Sequence, residues 1–122
     1  MRRGSGLTTQ TKPHGPRFIA VEIALEVTEG LRPIVAVVRK HDAAAGRQIV
    51  SAASSVAANL AEGSRRRGGD RLQFFRIAAG SADETRAHLR IAIAWGWLRQ
   101  SEAAQVLALL DRELGLLWGL TH

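Results

Sequence analysis

Val56-Ala57-Ala58-Asn59-Leu60-Ala61-Glu62-Gly63, then Ser64-Arg65-Arg66-Arg67-Gly68-Gly69-Asp70, then Phe74-Phe75-Arg76-Ile77-Ala78-Ala79-Gly80-Ser81: the reading of this run decides the fold. Two helix-forming stretches flank a glycine-rich, arginine-rich break. The run therefore predicts a helical hairpin with a positively charged corner, a scaffold rather than a reaction centre. Upstream, Asp42 is placed to cap a helix in which Ile49, Ala53, Val56 and Leu60 form one stripe and Gly63 marks the end. Its other positions include Ser51, Ala52, Ser54, Ser55, Ala57 and Ala58, small enough to let a neighbouring helix come close. Downstream, Gly68 and Gly69 make a turn, Asp70 is a cap, and a third helix runs from about Arg71 to Ala94.

Working outward, residues 18–38 repeat Phe18, Ile19, Ile23, Val27, Leu31, Ile34, Val35 and Val38 at threes and fours, as a first amphipathic helix requires. Pro33 is expected to kink it or split it near Gly30. A fourth helix, about Ser101 to Trp118, presents Val106, Leu110, Leu114 and Leu117, and Gly96 in Trp95-Gly96-Trp97 is the expected stop before it. The third helix carries two apolar sets. Phe74, Ile77, Ala78, Leu89 and Ala92 fall on one side, and Leu72, Phe75, Ala79, Ala82 and Ile93 on another, which suggests a subunit interface as well as a core. With no strand signal and no internal repeat, the expected fold is all-α: an antiparallel up-down-up-down four-helix bundle over residues 17–122, associating as a homo-oligomer. Residues 1–16 mix Gly, Ser, Thr, Pro and Lys without periodicity and are expected to form a disordered basic arm.

A chain of 122 residues supports one core without metal or disulfide staples. It has no cysteine, which removes disulfide frameworks and thiol chemistry and fits a reducing, cytoplasmic setting. The N-terminus has no apolar stretch of the kind a secretory signal needs. The most apolar later segment contains Glu22, Glu26, Glu29 and Arg32, which a bilayer would not accept cheaply. The net charge of +6 is uneven: Arg2, Arg3, Lys12 and Arg17 stand without an acid among the first 17 residues. A second concentration is Arg65, Arg66, Arg67, Arg71 and Arg76, opposed by Asp70. At a helix N-terminus such a corner favours anions, so these five are the candidate phosphate-contacting residues.

Enzyme chemistry finds little support. A di-metal bundle needs a Glu-x-x-His pair on each of two helices. Glu84 and His88 are four apart on one helix, and no second pair exists. His14, His41, His88 and His122 lack a nucleophile setting, and the corner lacks the Gly-Lys-Ser/Thr ending of a P-loop. No cofactor and no catalytic residue are expected. Gln48, Ser55, Asn59 and Glu62 trace a polar line on the second helix, while Ser81, Glu84, Thr85 and His88 supply a polar row on the third. The two are expected to face each other as a buried seam that fixes helix register. The three tryptophans are expected to pack in the core or cap the bundle's ends.

The spacing of Gln48-Ile49, Ala52-Ala53, Ser55-Val56, Asn59-Leu60-Ala61-Glu62-Gly63, Phe74, Ile77-Ala78, Gly80-Ser81, Glu84, Gly96 and Leu98 resembles that of the bacterial four-helix-bundle proteins named for 23S rRNA intervening sequences. These are relatives of the accessory protein of diversity-generating retroelements. The resemblance covers the second and third helices closely and the outer two by pattern. It implies an antiparallel bundle assembling as a ring-like homopentamer, mostly without assigned activity. By way of the retroelement relative, it also implies binding to nucleic acid and to a reverse transcriptase or other protein partner. The chain departs from the family in Ser51, where arginine is usual, and Thr85, where leucine is usual. The expected function is a non-enzymatic oligomeric scaffold contacting RNA or DNA phosphates, as an accessory to a nucleic-acid enzyme; the alternative is a protein-binding adaptor with no nucleic acid role.

Overall fold

The computed structural model describes residues 15–122, so most of the expected N-terminal arm lies outside the described residues. Four helices follow in order: α1 Pro16–His41, α2 Ala43–Ser64, α3 Gly68–Ala94 and α4 Gln100–Thr121. The connections are short, which makes successive helices antiparallel neighbours. Each helix packs on the next, and α1 closes the ring of contacts against α4. No helix among the described residues is long and apolar enough to cross a membrane.

The buried positions explain this arrangement. In α1 they include Ala20, Ala24, Val27, Leu31, Ile34 and Val38; in α2, Gly46, Ile49, Ala53, Val56, Leu60 and Gly63. In α3 they include Phe75, Ala78, Ala82, Thr85, Leu89 and Ala92; in α4, Ala103, Val106, Leu110, Glu113 and Leu117. Every helix alternates steps of three and four, the spacing that lets helices run nearly parallel with side chains seated between those of the neighbour. This corrects the division of the apolar residues of α3 between the two expected sets. One core stripe takes Phe75, Ala78, Ala82, Leu89 and Ala92 from both sets, and leaves Ile77 and Ile91 exposed.

Helix ends show how locally the chain is specified. Asp42 alone joins α1 to α2: its N–H donates to the Val38 carbonyl at 3.0 Å, and its Oδ1 accepts from the Ala45 N–H at 3.0 Å. At the end of α3, Gly96 takes φ +80°, a left-handed backbone that suits glycine. There the Trp97 N–H reaches the Ala92 carbonyl at 3.0 Å and the Gly96 N–H reaches Ile93 at 2.9 Å, a Schellman motif. Three expectations are corrected. Pro16 belongs to α1, as a first-turn proline for which a missing N–H is harmless. Of the kink or split expected at Pro33, the split does not occur: the helix runs unbroken through that residue, which is exposed, so that water can satisfy the carbonyl it leaves free. Asp70 does not cap α3: Arg67 occupies the cap position, and the helix begins at Gly68, which turns into it with a left-handed φ of +57°.

Gly63 packs directly against the start of α3. A Cβ there would stand 2.7 Å from Phe75 Cε1 and 3.0 Å from Phe74 Cβ, so the glycine admits the aromatic ring rather than ending the helix. Gly63→Ala is expected to cost about 1–3 kcal/mol by overpacking. Gly80→Ala, in open space on α3, is expected to gain about 0.5–1 kcal/mol. Chemical denaturation of the two variants checks both signs.

Candidate nucleic-acid interface

The arginine corner is built by the three-residue link between α2 and α3 and the first turns beyond it. Its five arginines are not equivalent. Arg65 and Arg66 both hold the Glu62 carboxylate, at 3.0 and 2.8 Å, and Arg66 also approaches Asp70 at 3.9 Å. The hydrogen bonds from Arg66 and then Arg65 keep the Glu62 carboxyl below its ordinary value. Arg66 additionally lies over the Phe74 ring, 5.2 Å from its centroid. Arg71 turns back to α2, donating from Nε to the Gly63 carbonyl at 3.2 Å and from Nη2 to Ser64 at 3.4 Å. It thereby satisfies the Ser64 carbonyl that the end of α2 leaves open and adds a second donor to the Gly63 carbonyl, which also accepts the Arg66 N–H at 3.1 Å. Arg67 and Arg76 are exposed and make no ion pair.

Against Glu62 and Asp70, the five arginines leave three net positive charges at this corner. No side chain caps α3, so the amides of its first turn point outward beside those charges. Nothing stands within 4 Å of where a Cβ would be at Gly68 or Gly69, which leaves the approach to these amides open. The arrangement suits an extended anion held by several weak contacts. No group of three or more potential metal ligands occurs among the described residues.

The polar seam divides. Ser81 Oγ donates to Ser55 Oγ at 2.7 Å across the α2–α3 interface. Asn59 Nδ2 donates to the same oxygen at 2.9 Å and to the Ser55 carbonyl at 2.8 Å. Thr85, fully buried, donates back to the Ser81 carbonyl at 2.8 Å. Glu62 does not join them: it turns outward to its arginines, so removing it leaves no buried partner unpaired. Glu84 and His88 meet each other at 3.4 Å on α3, and Gln48 is exposed near the other end of α2.

Glu113 is the functional-looking residue that sequence reading passed over. It is 0% exposed on the core stripe of α4, between Leu110 and Leu117. Both carboxyl oxygens lack a hydrogen-bond partner. Burial pushes its carboxyl up from 4.5 to about 8, because the charged form has nothing to replace its water. The signal was available: positions 103, 106, 110, 113 and 117 keep the three-four alternation, and Glu113 fills one of its steps.

A carboxyl that titrates at about 8 when folded and 4.5 when unfolded holds its proton more tightly in the folded state. The stability it contributes is complete below about pH 4.5 and is lost as pH rises to about 8. The stability of the parent relative to Glu113→Gln is therefore expected to fall by up to about 1.4 kcal/mol per pH unit through that window. Denaturant titrations of both proteins from pH 5 to about 9 check this; parallel stability profiles would contradict it.

The comparisons with known proteins agree with the geometry at the level of fold. The family described as 23S rRNA-intervening sequence protein matches residues 19–119, which takes in all four helices almost completely. A protein of unknown function from the S23 ribosomal protein family of Bacteroides thetaiotaomicron has a similar solved structure. It is 17% identical, with a TM-score of 0.76 over 84% of this chain and 97% of that one, a likeness of fold alone. A search of curated proteins finds no match. With the helix order, the α2–α3 hairpin and the family match all spanning the same residues, the chain belongs to the 23S rRNA-intervening sequence protein family.

Proposed function

We propose that this protein is a non-enzymatic, cytoplasmic scaffold that assembles as a ring-like homo-oligomer, most simply a pentamer, and contacts RNA or DNA phosphates through the α2–α3 corner and its basic N-terminal residues. The observation that carries the reading is the combination at the corner of a net positive arginine cluster with an uncapped, unobstructed helix N-terminus. Phosphate contacts of this kind position a nucleic acid without reading its bases, which suits an accessory to a nucleic-acid enzyme. Repetition of the corner around a ring would add weak contacts through multivalency. Leu25, Val50, Ile77 and Ile91 support association, since all four expose large apolar side chains on a single chain.

The resting partners of Arg65 and Arg66 bear on the mechanism. Their pairs with Glu62 are solvent-exposed and cheap to exchange, so a phosphate can replace the carboxylate. Arg71 is different, because its guanidinium is committed to the α2 carbonyls. The corner's contacts to phosphate therefore fall to Arg65, Arg66, Arg67 and Arg76, with Arg71 holding the turn in shape.

Changing Arg65, Arg66 and Arg67 together to glutamine is expected to leave the bundle folded, weaken binding to RNA and DNA of any sequence and flatten the salt dependence. Anisotropy binding across a salt series measures this. Indistinguishable curves, or no binding by the parent at low salt, would put the protein-binding adaptor ahead. Sedimentation velocity is expected to find the protein oligomeric at micromolar concentration, and a stable monomer would remove the ring from the proposal.

A further inference from the structure

The end of the bundle opposite the arginine corner carries a built aromatic platform. The Schellman turn at Gly96 places Trp95 and Trp97 side by side, with ring centroids 5.8 Å apart and planes within 12°. His41, the last residue of α1, continues the series on Trp97 at 6.0 Å and 8°. Trp97 is half-buried and packs on the core, whereas Trp95 is 68% exposed. Trp95 thus sits at the bundle's end, as expected of the tryptophans, and not in the core; Trp118 is similarly exposed, at 64%. The Trp95 indole is held by a fixed turn and a stacked neighbour, and it is offered to solvent.

Beside the platform lies a cleft of about 270 Å³ between the start of α2 and the end of α3. Val38, Ile49 and Ala92 form its buried floor, Trp95 and Trp97 are among its walls, and Gln48 brings an amide with both a donor and an acceptor. Arg39, Lys40 and Arg47 belong to the helix ends that meet here, with Asp42 among the cleft's walls; Arg90 lines the α3–α4 groove instead, and Arg99 pairs with Glu102 at 3.5 Å. A flat aromatic surface, an adjacent slot with an amide and a surplus of cations together match an unpaired base with its flanking phosphates. A duplex offers its bases no such access.

We infer that Trp95, with Trp97 behind it and the adjoining cleft, is a stacking site for the bases of single-stranded nucleic acid. The inference rests on the proposed nucleic-acid role and adds a preference for single strands. The two ends then divide the work. The arginine corner holds phosphates of either form, and the tryptophan end holds only bases that are free of pairing.

The full chain and its Trp95→Ala and Trp95→Phe variants would be titrated with a single-stranded RNA, the same sequence as single-stranded DNA, and a duplex of equal length, followed by anisotropy and tryptophan fluorescence. Trp95→Ala is expected to weaken single-strand binding by about 5- to 150-fold and to remove most of the fluorescence quenching, while duplex binding stays within about twofold. Trp95→Phe is expected to restore most of the affinity, because the side chain is exposed and the ring is kept. An equal loss for duplex and single strand would overturn the inference, as would unchanged single-strand binding. Saturation by a mononucleotide with no further gain from an oligonucleotide would overturn it in favour of a free-nucleotide site. The corner variant separates this inference from the reading beneath it. Loss of single-strand binding on Trp95→Ala, with no effect of the triple arginine change, would uphold the platform and refute the corner.

Discussion

The close approach of α2 and α3 is the constraint on which the rest of this structure depends. It is possible because the facing positions are small: Gly63 admits the Phe75 ring, Ala52, Ala53, Ala78 and Ala82 are buried, and Ser55 meets Ser81 through a single 2.7 Å hydrogen bond. Small residues bury little area apiece, so shape and the serine pair must hold the register that hydrophobic bulk would set elsewhere. Once that register is fixed, the length of α2 determines where the arginine corner falls and the length of α3 determines where Trp95 emerges. All four helices add larger buried side chains around these small ones: Phe75, Ile49, Leu60 and Leu89 from the pair itself, and Ile23, Leu31, Leu110 and Leu117 from the outer helices.

Glu113 shows the opposite choice within the same core. A position that packing would fill with leucine holds an acid whose oxygens find no partner, and the fold accommodates it by keeping the proton. A neutral carboxyl is a far smaller burden than a buried charge. The stability of the bundle is thereby tied to pH in the physiological range, on the alkaline rather than the acid side.

What the sequence made legible was whatever depends on near neighbours in the chain. The Asp42 cap and the Gly96 stop were readable because capping is decided within a single turn. The bundle itself was readable from the three-four alternation and from the run through Gly63 to Phe75. What failed was of two kinds: a choice between several partners within one turn of the chain, and a choice made by the other helices. Glu62 and Asn59 lie three apart on the same polar line, yet Asn59 binds Ser55 whereas Glu62 swings to arginines that follow it in the chain. The apolar residues of α3 outnumber the places on one stripe, and only the positions of α2 and α4 decide that Phe75 enters the core while Ile77 stays out. Asp70 has a side chain that suits a cap, but the cap position falls three residues earlier, at Arg67, and Asp70 lies within the first turn.

The separation of the two basic ends follows from this geometry and bears on how a nucleic acid would lie on the protein. At 1.5 Å per residue, the 27 residues of α3 place Trp95 about 40 Å from Gly68. No single short segment bridges that distance, so phosphate holding and base stacking act on different parts of a long strand or on different strands. Charge also differs in kind at the two ends. The corner's arginines are partly neutralised by Glu62 and Asp70 and rely on exchange, whereas the tryptophan end relies on rings already fixed by a turn and by each other. Contacts of the first kind fade with salt, whereas at the second end only the cations around the rings do so and the stacking of base on indole remains. Rising ionic strength would therefore weaken duplex binding, which has phosphate contacts alone, more steeply than single-strand binding, a physical basis for distinguishing the two without reading sequence.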